Sequence, residues 1–151
     1  MTEFAGPILL LAWAAIGGWL DVAQRRLPNW LCLATWISGV AVLALTSGFP
    51  VVWWGLAHSV VALVVGMVLF RFGWIGGGDA KFYAACAAWF PLQQGFTLLM
   101  LVSAAGLALV AGWIVTRRAR SGQKAARGDF AKVPYGLAIA LGAIAAKVIQ
   151  L

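Results

Sequence analysis

Acid is scarce in this sequence. Glu3, Asp21, Asp79 and Asp129 are the whole supply in 151 residues, against eleven Lys and Arg and a single histidine, His58. Charged residues make up 10% of the chain, where a soluble domain carries roughly 25%, and that shortage excludes an ordinary soluble globule. Cysteine is nearly absent as well. Cys32 and Cys86 both lie in apolar runs with no CxxC pair, so the chain has no ligand set for a structural zinc and no pattern that implies a disulfide. One histidine, inside an apolar segment and away from the acids, gives poor support to a Ser-His-Asp triad or a zinc protease. Long polar segments are lacking too: the longest runs from Arg117 to Lys132. No separate soluble or zinc-binding domain fits there, and residues 1–151 read as a single domain.

What is abundant is apolar length. Hydrophobic residues make up 64% of the chain and the mean hydropathy is +0.95. A spanning helix takes about 20 residues, so the sequence predicts an all-α integral membrane protein of about six transmembrane helices. The expected spans cover residues 6–24, 30–45, 51–70, 79–90, 92–116 and 133–150. Arg25-Arg26-Leu27-Pro28-Asn29 breaks the first, because Pro28 disfavours helix at Leu27. Thr46 through Pro50 is a turn. Arg71 through Gly78 reads as a glycine-rich loop without helical periodicity, and Pro91 ends the short fourth span. Residues 1–7 hold Glu3 and no Lys or Arg, whereas a secretory signal opens on a basic region. The first span therefore reads as a retained helix.

Charge orients these spans. A net charge of +7 on a soluble protein would raise nucleic acid as a partner. Here ten of the eleven basic residues fall in or beside the connections after spans one, three and five, the pattern of loops held on the cytoplasmic side. The expected partners are thus membrane lipid and a substrate rather than nucleic acid. Both termini are expected outside, in the periplasm, and the chain is expected in a bacterial inner membrane as a multi-pass protein. Trp53, Trp54 and Trp89 are expected at the outer interface, where aromatic side chains collect. Lys147, the eleventh basic residue, is expected to snorkel.

Asp21 and Asp79 carry the chemistry. Asp21 lies in the last turn of span one. Asp79 follows Gly76-Gly77-Gly78 at the start of span four. Two spans separate these points, out and back, so both carboxylates come to the same membrane face. An acid kept at membrane depth is a functional hypothesis by default. Two neighbouring carboxyls share a proton because both cannot easily ionise. One can then activate water while the other, protonated, polarises a carbonyl, and the residues alone do not say which takes which part. Glycines ahead of Asp79 permit close approach of a peptide, which suggests a small wet pocket where substrate binds as an added strand. Two simpler roles compete: Asp21 pairing with Arg25 four residues on, and Asp79 capping its helix. A second class of function, a small proton-coupled transporter, also uses membrane carboxylates, but it would favour inverted repeats, and none is evident. His58 reads as an interhelical hydrogen-bonding group or a pore-facing residue rather than a catalytic one, Gly17, Gly18, Gly106 and Gly112 as sites of close helix packing, and Asp129 as a solvated loop charge.

These residues resemble the type IV prepilin peptidases, a family of GxGD aspartic membrane proteases. Gly76-Gly77-Gly78-Asp79-Ala80-Lys81 fits GxGD with a following Lys. Asp21, with Leu27-Pro28-Asn29 six residues on, is similar to the family's Asp and Leu-Pro-Asn turn. Val133-Pro134-Tyr135-Gly136 is a weaker likeness to its Pro-aromatic-Gly segment. The resemblance implies a membrane aspartic endopeptidase with Asp21 and Asp79 catalytic. Gly76, Gly77, Gly78, Lys81, Pro28 and Asn29 would support or bind the substrate. That substrate would be the leader of a type IV prepilin or pseudopilin, cut near the cytoplasmic face after a Gly that precedes an apolar helix. Larger members carry a cytoplasmic segment with paired CxxC motifs linked to N-methylation. Here seven residues lie between Arg71 and Asp79, so methyltransferase activity is not expected, and the compact form resembles the peptidases of tight-adherence (Flp-type) pilus systems. No cofactor and no metal is implied.

Overall fold

The computed structural model describes residues 2–121 and 135–150, with side chains from 5 to 116 and from 135 to 150. Asp129, Lys132, Val133 and Pro134 lie outside the described residues. Every regular element described is helical: α1 (Thr2–Gln24), α2 (Asn29–Thr46), α3 (Phe49–Arg71), α4 (Gly77–Ala87), a single 3₁₀ turn (Leu92–Gln94), α5 (Gly95–Ser121) and α6 (Tyr135–Val148).

Local chemistry sets the boundaries. Arg25, just past α1, has φ 52°, and its N–H still reaches the Asp21 carbonyl at 3.0 Å. Pro28 is extended at φ −70°, ψ 145° and stands at the start of α2, where its fixed φ and missing N–H suit a helix entrance. Gly48 (φ 81°) and Pro50 open α3 in the same way. α3 ends in a Schellman turn: Gly73 has φ 73°, Trp74 N–H reaches Leu69 O at 3.0 Å and Gly73 N–H reaches Phe70 O at 2.9 Å. That turn satisfies carbonyls the helix would orphan and swings the chain toward Gly76.

Among the described residues four segments are long and apolar enough to cross a membrane: residues 5–24, 29–46, 49–71 and 92–116. The other two described helices are shorter, as expected of the fourth. α4 has 11 residues, about 16 Å of helix against a hydrocarbon core of about 30 Å. α6 has 14. α4 has no lipid-facing requirement because the other helices encase it: it packs on α3, α2 and α6, and Phe82, Cys86, Ala87, Ala88 and Phe90 are fully buried along and just beyond it. Beyond Lys81, which faces the exposed rim, its side chains are almost wholly apolar, and such a segment belongs inside. Its alanines bring neighbours close; a Cβ on Gly66 of α3 would stand 2.9 Å from the Ala80 methyl.

Trp89 corrects one expectation. It is 1% exposed and donates from Nε1 to Thr35 O at 2.9 Å, over Gly39, so it is a core side chain rather than part of an outer belt. Trp53, at 70% exposure, remains on the surface. Polar ties hold the far end of α4. Ser59 Oγ donates to Ala84 O at 2.8 Å and Trp36 Nε1 to Ser59 Oγ at 2.9 Å. His58 Nδ1 lies 3.0 Å from Phe90 O, a bond from α3 to the connection just past α4 rather than to a helix. Such bonds matter at membrane depth because no water is there to replace them. α1 packs on α6 and α2, and α5 packs chiefly on α6. Gly17 and Gly18 do sit at close helix contacts, but Gly112 meets nothing within 4 Å and Gly106 only the Ala138 methyl at 3.7 Å.

Candidate active site

The end of α1, the Leu27–Pro28 turn, the starts of α4 and α6, and the end of α3 meet at one end of the bundle. Asp21 supplies the α1 side. Its residue is 8% exposed, and Oδ2 accepts the Leu137 N–H at 3.2 Å. An ideal Cβ on Gly136 would lie 2.8 Å from both Cγ and Oδ2 of Asp21, so the first turn of α6 rests on this carboxyl. Among the described residues Asp21 makes no ion pair with Arg25, which is exposed; the simple i, i+4 pairing is not what the fold uses.

Asp79 is the third residue of α4. Its carboxyl takes a hydrogen bond from the Gly76 backbone N–H, the reach-back of a capping box. A Cβ at Gly76 would stand 2.7 Å from Oδ2. The capping role foreseen for Asp79 is therefore present, and it leaves acceptor capacity on a carboxylate with about four lone-pair sites. The start of α4 docks on Leu27, six residues beyond Asp21, which brings the two acids to the same end of the bundle.

The residues expected to support the pair lie at the same end of the bundle, with one correction. Gly77 and Gly78 are not part of an irregular loop: they form the first two positions of α4, and the non-helical stretch is Phe72–Gly76. Only Gly76 is extended, at φ −73°, ψ 144°. A Cβ on Gly78 would touch the Leu27 Cβ at 3.5 Å, which shows how closely the start of α4 docks on the Leu27–Pro28 turn. Lys81 Nζ donates to Asn29 Oδ1 at 3.1 Å on the exposed rim. His58 is elsewhere, at the other end of α4. No group of three or more His, Cys, Asp or Glu that could hold a metal occurs among the described residues.

Beside the pair runs an apolar groove of about 680 Å³ between α3 and α5, with α4 and α6 beneath it. Asp79, Ile75 and Tyr135 line it at the carboxylate end, and His58 and Gly95 line it at the other. Sequence reasoning missed this groove, and it missed the contact of Gly136 and Leu137 with Asp21. The only hint of that contact was the Tyr135-Gly136 likeness at the start of the last helix.

A polytopic helical bundle with two carboxyls gathered at one end is the class of molecule this geometry defines. Residues 8–111 match the type IV leader peptidase family, and the chain belongs to that family. The match includes Asp21, the Leu27–Pro28–Asn29 turn and Asp79, and stops short of α6. No curated protein and no solved structure matches the chain.

Proposed function

We propose that the chain is a membrane aspartic endopeptidase that removes the leader of a type IV prepilin or pseudopilin, with Asp21 and Asp79 as its catalytic pair. The observation that carries the reading is that carboxyls from α1 and α4 come to the same end of the bundle, with Asp79 at the head of an apolar groove, in a chain of the leader peptidase family. An aspartic dyad works by sharing one proton between two neighbouring carboxyls. In the reaction, the ionised carboxyl takes a proton from water. The water oxygen bonds to the scissile carbonyl carbon while the protonated carboxyl gives its proton to the carbonyl oxygen. The tetrahedral adduct then breaks its C–N bond, and a carboxyl returns a proton to the leaving amine.

The surrounding residues fit supporting roles. Gly76 lets a backbone approach Asp79 where any side chain would crowd Oδ2. Gly77 and Gly78 start α4 without bulk against Phe70 and Leu27. Pro28 and Asn29 hold the turn beneath, and Lys81 ties to Asn29. The chain is read as one peptidase domain of a bacterial inner membrane, with the pair at the cytoplasmic face. The short connection ahead of Asp79, without CxxC, supports peptidase activity without N-methylation. Purified protein in liposomes, given a prepilin, is expected to yield mature pilin with a new N-terminus at the start of its apolar helix. Asp-dependent proton flux without cleavage would instead mark a transporter.

A further inference from the structure

Resting on the peptidase reading, we infer that the groove between α3 and α5 is the docking site for the apolar helix of the substrate, entered sideways from the membrane. Four observations on the groove converge. It is walled by two membrane helices that leave a gap between them, and its lining is almost wholly apolar apart from His58, Asp79, Tyr83, Ser103 and Tyr135. A soluble peptide has no use for such walls, whereas an apolar helix does. From Leu69 to His58 the α3 wall runs for about 16 Å, room for about three turns of a bound helix. The surface inside is low. Ala62 and Gly66 on α3 and Gly95, Ser103 and Gly106 on α5 line it, and small residues let a second helix backbone come near. The groove is also continuous with the site, because Asp79 lines its end.

That last point favours a polypeptide over a lipid. An acyl chain gains nothing from ending at a carboxyl, and an anionic headgroup there is repelled. A peptidase needs the opposite arrangement. Peptide bonds within a helix are closed by their own hydrogen bonds, and the first accessible one lies where the helix begins. A helix seated between α3 and α5 with its start at Asp79 presents that bond, so the groove sets the position of cleavage as well as the affinity.

A photo-crosslinking amino acid in place of Val65 or Leu107, exposed at 53% and 72% on the two walls, would be compared with one at Leu33 or Ile37, exposed at 58% and 53% on α2. The Asp79→Asn background would hold uncleaved prepilin in liposomes. The docking reading predicts prepilin adducts from the groove positions and none from α2. Lipid adducts alone at Val65 and Leu107, or equal capture from both faces, would overturn it. In parallel, Val65→Trp, at an exposed position of the groove lining, is expected to raise KM for prepilin at least tenfold with kcat within threefold; an unchanged KM counts against docking. Wild-type cleavage is read alongside. Cleavage without groove adducts removes the docking site and leaves the peptidase, whereas groove adducts without cleavage do the reverse.

Discussion

Gly136 and Asp21 are in direct contact: a side chain as small as a methyl on Gly136 would come within 2.8 Å of the Asp21 carboxyl. The first turn of α6 is thereby a wall of the candidate site, and the neighbouring Leu137 N–H fixes the orientation of Oδ2 at 3.2 Å. A site of this kind depends on placement to within about half an ångström, and here α6 supplies part of it.

Gly136→Ala therefore tests placement with little change in chemistry. The added methyl forces Asp21 aside, and turnover of prepilin is expected to fall at least tenfold. The stability loss of a crowded site is about 1–3 kcal/mol. Gly112→Ala, where nothing lies within 4 Å, is the control and should leave turnover unchanged. Rates measured on folded protein decide it, and equal rates for Gly136→Ala and wild type would remove α6 from the site.

The Lys81–Asn29 bond spans two helices but lies on the exposed rim. Exposed charge-assisted contacts stabilise by about 0.2–1 kcal/mol. A double-mutant cycle of Lys81→Ala and Asn29→Ala, read by unfolding in detergent, should give a coupling in that range. Each single change should cost less than tenfold in turnover. A larger loss confined to Lys81→Ala would mean that the ammonium acts on substrate or on the pair directly.

Packing around α4 is tested at Gly17. A Cβ there would collide with Phe82 Cζ, and Phe82 is fully buried. Gly17→Ala is expected to destabilise by about 1–3 kcal/mol through overpacking. Phe82→Leu in the same chain should return part of that loss, because the smaller side chain frees the space. Additive losses would show that the two residues do not compete for it.

Several of these relations were legible in the sequence and others were not, for physical reasons. Hydropathy gave the helical class, and counting spans brought Asp21 and Asp79 to one end, where the structure has them. Periodicity could not show that α4 is an encased helix of 11 residues, because a buried short helix and a lipid-facing span present the same apolar run. Three glycines suggested a loop, yet two of them open a helix whose third residue caps it. Trp89 read as interfacial because tryptophan near a span end usually is; its burial depends on Gly39 across the bundle. The contact between Asp21 and Gly136 joins residues remote in sequence, so no local pattern announces it. The groove is a gap between α3 and α5, set by how both rest on α4 and α6.

The central claim is that Asp21 and Asp79 act as one catalytic pair. The most direct measurement is prepilin cleavage in liposomes by wild type, Asp21→Asn and Asp79→Asn, each verified as folded. Asn preserves shape and removes the exchangeable proton, so each variant should lose turnover by at least a thousandfold while still binding substrate. Cleavage by either variant at a rate near wild type would contradict the account.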